Sequence, residues 1–446
     1  MSPEADPWAK KSSSGASAAD LRRAAGFTRG QVNVVNRLHS AASIQTNTAL
    51  SDGTQQTSMG VMRVLATADA RDLRLVFSNY YYGIDGPNTI FVRAAIEVEN
   101  TVGTGADNFT YPVTFNGATE GTIAAGGILV SDPVPIQVAK GDTLSLRTFV
   151  RVGTLGEKWP QTGNYRHLLQ GDNVVPGGTD QTAATTQTLT GVNASANLIR
   201  DFAPIAVLGT VAPGTPCFGL WGDSVTVGFN ETDAIQRGWA EKALNDQYPY
   251  FQLSRHSESI QQMLPGVVAT FTPKGYLHKW RFAPALTHVF STYGVNDTGG
   301  TDPQATIQAN LLANWVALAA LDLKVWAWTM PPRTTSTDGW VTTGNQTITV
   351  ANNANAKRIA INDWVRDGAP ILAGVAVAAG SNTPGTLRAG QTGHPLRGYI
   401  ETADAVETAR NSGIWKAANT TDGLHPEPAA HVAMAAMVNV ANVLAS

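Results

Sequence analysis

Three short stretches of this sequence hold residue types that together can carry out acyl transfer. The first is Trp221-Gly222-Asp223-Ser224-Val225-Thr226-Val227-Gly228. Ser224 stands where an apolar run, Cys217-Phe218-Gly219-Leu220-Trp221, gives way to a polar turn. A serine at such a strand-to-helix corner has its hydroxyl held away from the backbone. Its amide lies at a helix N-terminus, where developing negative charge is favoured. Gly222 allows the turn to be tight. Taken alone, Asp223-Ser224 after a strand also reads as ordinary helix capping.

The second stretch is Tyr293-Gly294-Val295-Asn296-Asp297, which follows an apolar strand over Leu286–Thr292. Gly294 lets the backbone approach closely, and the Asn296 amide can donate to an anion. An Asx-turn or a helix cap uses the same residues. The third is Thr421-Asp422-Gly423-Leu424-His425-Pro426. One tight turn can hold the Asp422 carboxylate against one nitrogen of His425 and leave the other nitrogen facing out. That is the base-and-orienter pair a serine nucleophile needs. A capped turn before a helix is the alternative. His431 lies on the expected C-terminal helix and is read as structural.

Elements of two textures must position these stretches. Residues 1–30 read as a loose leader or as a short helix over Ala18–Ala25 that docks elsewhere. Residues 31–210 are β in character. Leu73, Leu75 and Phe77 alternate with Arg74 and Val76, and similar alternation recurs over 90–98 and 144–152. Period-two patterning means strands with one buried face. Turn signals such as Asp85-Gly86-Pro87-Asn88 and Asn116-Gly117 fall between them. An antiparallel β-sandwich of jelly-roll type is the expected solution. Tyr80-Tyr81-Tyr82 reads as a strand end or a sugar-stacking platform. Residues 154–200 read as long loops or an irregular hairpin.

Beyond Val211-Ala212-Pro213-Gly214 the pattern changes to alternating strands and helices over 211–446. Helices are expected over Thr232–Gln247, Ala305–Leu321, Ala354–Arg366 and Pro428–Leu444, with a strand over Lys324–Met330. Such alternation implies an α/β unit with a parallel sheet, whose active site lies at the carboxyl ends of the strands. Arg333 to Asn353 is a polar insertion after a strand end. Its Trp340 could wall a site, or the segment could be a plain surface hairpin.

The three stretches occur in an order and at intervals that resemble the SGNH, or GDSL-type, hydrolase superfamily over residues 212–446. The matching blocks are Gly222-Asp223-Ser224, Gly294-Val295-Asn296-Asp297 and Asp422-Gly423-Leu424-His425. The resemblance implies a flavodoxin-like three-layer α/β fold. It implies Ser224 as nucleophile, His425 as general base and acid, and Asp422 as its orienter. It implies an oxyanion hole from the Asn296 side chain, the Ser224 N–H and a further N–H after the second strand. Ser257, in Leu253-Ser254-Arg255-His256-Ser257-Glu258, stands where the family carries a glycine. A backbone N–H survives that exchange, while the added side chain changes the local geometry. Asp223, Gly294, Asp297 and Trp340 are expected to line the site.

Composition narrows the remaining choices. The chain has 446 residues and a net charge of -3, so more than one domain is expected and no basic stripe suggests nucleic acid. The single cysteine, Cys217, permits no intrachain disulfide and reads as a core residue. No zinc signature, clustered metal-ligand spacing or phosphate-binding loop is present, so no metal and no cofactor are expected. The N-terminus lacks the apolar core of a secretory signal, and no apolar run has the length of a bilayer span. The expected partner is a small-molecule or glycan ester, with neither nucleic acid nor membrane. A β-sandwich ahead of an SGNH-like unit resembles esterases that deacetylate carbohydrates. A general aryl or carboxylesterase, and a non-enzymatic carbohydrate-binding or phage structural protein, stay open.

Overall fold

The computed structural model describes residues 30–35, 49–81, 84–99, 109–161, 173–183, 202–232, 237–264 and 275–446. The expected Ala18–Ala25 helix lies outside them.

Two antiparallel sheets form a β-sandwich. One runs in the order Gln31–Asn33, Ala206–Thr210, Ala70–Ser78, Ile128–Val130, with Val134–Val138 also pairing Ala70–Ser78. The other runs Asn173–Pro176, Thr57–Leu65, Thr143–Val152, Ile90–Glu99, Phe109–Pro112, with Gly121–Ile123 also pairing Ile90–Glu99. The alternation of Leu73, Leu75 and Phe77 with Arg74 buries the first three between the sheets. The pattern over 143–152 does more than alternate. Ser145, Arg147 and Phe149, on the face expected to meet solvent, are buried too. Phe149 joins Met59, Val61 and Val175 in a second small cluster. Arg147 is tolerated there because its Nε and Nη2 donate to Glu97 Oε2 on the adjacent strand at 3.0 and 2.8 Å. Tyr80 is buried, which removes it from any stacking platform; Tyr82 is outside the described residues.

The second unit is a five-stranded parallel sheet in the order Tyr250–Gln252, Phe218–Gly222, His288–Thr292, Lys324–Trp328, Leu396–Ile400. Numbered along the chain this is 2-1-3-4-5, the flavodoxin-like order. The fold is therefore α/β with a parallel sheet, preceded by an antiparallel sandwich. Asn33 joins the two: its Nδ2 donates to the carbonyl of Tyr250 at 2.9 Å, while its Oδ1 accepts the N–H of Val207. Apolar burial is continuous from one unit into the other.

Several helices differ from expectation. That over Thr232–Gln247 is only Trp239–Leu244 among the described residues. Gly238 is extended at its N-cap, and the Glu241 carboxylate accepts the Gly238 N–H at 2.9 Å, which fixes the start there. The C-terminal helix is two, Pro428–Ala435 and Val440–Ala445. Asn439 makes the break by capping the second, its side chain accepting the Asn442 N–H. Ala354–Arg366 falls where expected, and the Ala305–Leu321 helix is Gln304–Ala319, started after Pro303. The strand Leu396–Ile400 had no strong alternation to mark it. No helix among the described residues is long and apolar enough to cross a membrane.

Candidate active site

The corner at Ser224 is built by three constraints. Gly222 is the last residue of its strand, and a Cβ there would collide with the Thr292 hydroxyl on the neighbouring strand. Its glycine serves close approach rather than a positive φ. Asp223 is the N-cap, its Oδ1 accepting the Val225 N–H at 3.0 Å. The helix Ser224–Val227 is a single turn, closed by Gly228 at φ 93. The turn places Ser224 at the C-terminal edge of a central strand.

The segment after the second strand is pinned from several sides. Leu253 and Arg255 donate their N–H groups to Leu220 and Gly222 carbonyls, which extends the pairing past the strand. Ser257 then adopts φ 59, the left-handed region that favours glycine, and is exposed. Glu258 is buried beneath it, ion-paired with Lys279 and accepting the Tyr293 hydroxyl at 2.7 Å. Burial pushes the Lys279 ammonium down to about 8, against the pull of the Glu258 charge. The Glu258 carbonyl accepts one N–H of the Asn296 amide at 2.9 Å. Asp297 accepts the Ile260 N–H at 3.0 Å. Asn296 and Asp297 thus tie this segment to the end of the third strand. Gly294, at φ 125, makes the bend between strand and helix, with no room for a Cβ beside Met330 Sδ at 2.5 Å.

The Asp422–His425 turn closes the arrangement. Asp422 Oδ1 accepts the N–H groups of Leu424 and His425, both at 2.8 Å. Its Oδ2 lies 2.6 Å from His425 Nδ1. Burial works against this carboxylate, yet the hydrogen bonds from the His425 ring and the two backbone N–H groups outweigh it. They hold the Asp422 carboxyl well below the usual range. His425 Nε2 lies 2.8 Å from Ser224 Oγ. Gly423 takes φ 78 and has no space for a Cβ between the Thr334 carbonyl and the Trp340 ring. Thr334 N–H donates to the Gly423 carbonyl at 2.9 Å, and Trp340 Nε1 to the Thr334 hydroxyl at 2.8 Å.

Chemically, the line from Asp422 through His425 to Ser224 can move a proton off the hydroxyl. Among the described residues, the N–H groups of Ser224 and Ser257 donate to nothing, and Asn296 keeps a second amide N–H. Such donors can stabilise an oxyanion. Asp223 and Asp297, expected to line the site, are instead buried beneath it, 0% and 5% exposed. Burial is the main cause that pushes the Asp223 carboxyl up to about 8 and Asp297 to about 6. Trp340 is half-buried and packs behind Gly423 at the base of the hairpin Thr334–Ser336/Gln346–Ile348.

Other neighbours of the site carried no readable motif. The Phe229 ring lies 4.3 Å from that of His425 and 5.4 Å from that of His256. His431 is buried, accepts the Trp239 N–H at 3.2 Å, and meets the Phe229 carbonyl with its other nitrogen. Arg333, directly after Pro331-Pro332, reaches the site from the end of the fourth strand. Its place beyond a strand's carboxyl end was the one available signal. Among the described residues no cluster of His, Cys, Asp and Glu could hold a metal ion. Cys217 is buried, which pushes its thiol up to about 12.

No family model matches the chain, and no curated protein matches it. Solved structures similar to it include a GDSL-like lipase from Bacteroides thetaiotaomicron, at 13% identity and TM-score 0.34, over 53% of this chain and 91% of that one. A carbohydrate acetylesterase from Sinorhizobium meliloti is similar at 14% identity and TM-score 0.31, over 51% and 98%. A salicylyl-acyltransferase from a tetracycline biosynthetic pathway is similar at 14% identity and TM-score 0.30, over 84% and 80%.

Proposed function

We propose that the chain is a serine esterase acting by a two-step acyl-enzyme mechanism. The observation that carries this is the continuous hydrogen-bonded line Asp422–His425–Ser224, with 2.6 Å and 2.8 Å between successive atoms. His425 takes the Ser224 proton as Oγ attacks the ester carbonyl, and returns it to the leaving alcohol. Asp422 fixes the ring with its proton on Nδ1, so that Nε2 is the base. The N–H groups of Ser224 and Ser257 and the free amide N–H of Asn296 stabilise the tetrahedral oxyanion. Water activated at His425 then releases the acyl group. Gly294 makes the bend that presents Asn296, and Trp340 packs behind the turn that carries Asp422 and His425.

The proposed substrate is a short-chain, acetyl-type ester on a carbohydrate. The sugar rests on the likeness of a β-sandwich followed by an SGNH-like unit to esterases that deacetylate carbohydrates; a general esterase without sugar preference is the alternative. We take the sandwich as an accessory unit over 31–210 and the catalytic unit as 211–446. Hydrolysis of 4-nitrophenyl acetate by the wild type, compared with Ser224→Ala, tests the reading. The variant is expected to lose activity by at least about 10³-fold. Equal rates would sink the enzyme reading and leave a binding or structural protein. Acetate release from acetylated xylan, compared with release from aryl acetates, decides the sugar preference.

A further inference from the structure

The Arg333 guanidinium is half-buried beside the site and has no hydrogen-bond or ion-pair partner among the described residues. That is unusual here, because other interior guanidinium groups are matched. Arg358 is paired with Glu407, and Arg147 with Glu97. Arg366 is shared among Asp363, Glu401 and Asp404. Even the neighbouring cation Lys357 is satisfied by the carbonyls of Gly300 and Asp302.

Its position is fixed from both ends. Pro331-Pro332 precede it, and the Met330 carbonyl before them accepts from Arg358 and Asn362. The Arg333 carbonyl accepts the Thr349 N–H at 3.1 Å, and Thr334 donates to Gly423 in the Asp422–His425 turn. On the other side the guanidinium lies against Gly299, three residues after Asn296, where any Cβ would collide with Nη1. Arg333 therefore bridges the turn that carries the base and the helix that carries the proposed oxyanion donor.

The charges that face it leave it uncompensated. Asp223 and Asp422 are the carboxylates whose charge it feels. Burial pushes the Asp223 carboxyl up to about 8, which weakens the charge it offers, and Asp422 is hydrogen-bonded to His425. A fork of N–H donors held at a site edge, with no acceptor among the described residues, suits a planar anion bidentately.

We propose that Arg333 is a specificity determinant that receives a carboxylate on the substrate, so that the preferred esters are acidic ones, such as an O-acetylated sugar acid. This rests on the esterase reading above. The carboxylate can sit on the alcohol or on the acyl part of the ester, and two probes separate these. The neutral reference is 4-nitrophenyl acetate. The probe with an acidic alcohol is 4-acetoxybenzoate, and the probe with an acidic acyl group is mono-4-nitrophenyl succinate.

The readout is the ratio of kcat/KM for each acidic ester to that for the neutral one, in wild type, Arg333→Gln and Arg333→Lys. Loss of a charge-assisted contact is worth roughly 10- to 100-fold. In at least one arm Arg333→Gln is expected to lower the ratio by that amount through KM. Arg333→Lys should restore part of it, since it keeps the charge and loses the fork. A merely structural role would lower all esters by one factor and leave both ratios unchanged within about twofold, which overturns the proposal. Absence of Ser224-dependent hydrolysis of all three esters overturns the esterase reading and this inference together.

Discussion

Asp223→Asn isolates one buried proton. The Asp223 carboxyl is fully buried; Oδ1 accepts the Val225 N–H, and Oδ2 has no hydrogen-bond partner among the described residues. Burial is the largest cause of its rise to about 8, opposed by the Val225 N–H and reinforced by Asp297 and Glu258. The ordinary value, which the unfolded chain has, is 3.8. Between these values the folded state holds a proton that the unfolded state releases, so stability falls as pH rises. The contribution is complete below the unfolded value and is lost as pH approaches the folded one. Each pH unit between them costs up to about 1.4 kcal/mol, or about 4 kcal/mol from pH 5 to pH 8.

The asparagine variant keeps the Oδ1 acceptor and has no charge to acquire. Its amide NH₂ takes the place of an unpartnered oxygen, so near pH 5 it should be less stable than wild type by roughly 1–3 kcal/mol. The two stability curves should then converge and cross before pH 8. Urea unfolding followed by tryptophan fluorescence measures this, since nine of the eleven tryptophans lie between Trp221 and Trp415. A stability difference that stays constant across this range, or a variant that loses more stability than wild type on raising the pH, would refute the reasoning.

Two further substitutions test the site's geometry. Asp422→Asn keeps an acceptor for the Leu424 and His425 N–H groups but turns a donor toward Nδ1, which forces the ring proton onto Nε2. The ester-hydrolysis kcat should fall by about 10⁴ with an unchanged circular dichroism spectrum; a loss smaller than tenfold would contradict the orienting role. Ser257→Gly relieves a left-handed φ of 59 that costs a non-glycine residue roughly 1 kcal/mol. The melting temperature should rise by about 2–4 °C, and a lower one would show that the Ser257 side chain stabilises the loop.

Periodicity made the layers legible. Alternation at Leu73–Phe77 and the apolar runs at Phe218 and Val289 were enough to separate sandwich from parallel sheet, because each strand's burial pattern is local. The Ser224, Asn296 and Asp422–His425 stretches were legible because each pairs a glycine with a chemically specific side chain at a strand end or turn. What escaped depends on partners distant in sequence. Arg147 on the outer sandwich face reads as solvated until Glu97 is placed beside it. The fifth strand, Leu396–Ile400, with its burial interrupted at Arg397, shows no period. The division of the C-terminal helix hangs on one capping asparagine within an otherwise helical run. Asp223 and Asp297 looked like site residues because they neighbour Ser224 and Asn296; in the fold, adjacent residues on a single turn point to opposite sides.

The hydroxyl and imidazole that meet at 2.8 Å are 201 residues apart along the chain. The contact between His431 and the Phe229 carbonyl spans 202. Ribosomal synthesis therefore delivers Ser224, Ser257 and Asn296, with four of the five parallel strands, well before the proposed base His425. Contacts of such high separation form late, after the loop entropy of the intervening chain has been overcome. A nascent or partly unfolded molecule can thus have an assembled sheet and a chemically silent serine. On the esterase reading, turnover would appear only once the last segment has docked, which would make activity a stricter reporter of complete folding than the burial of any tryptophan.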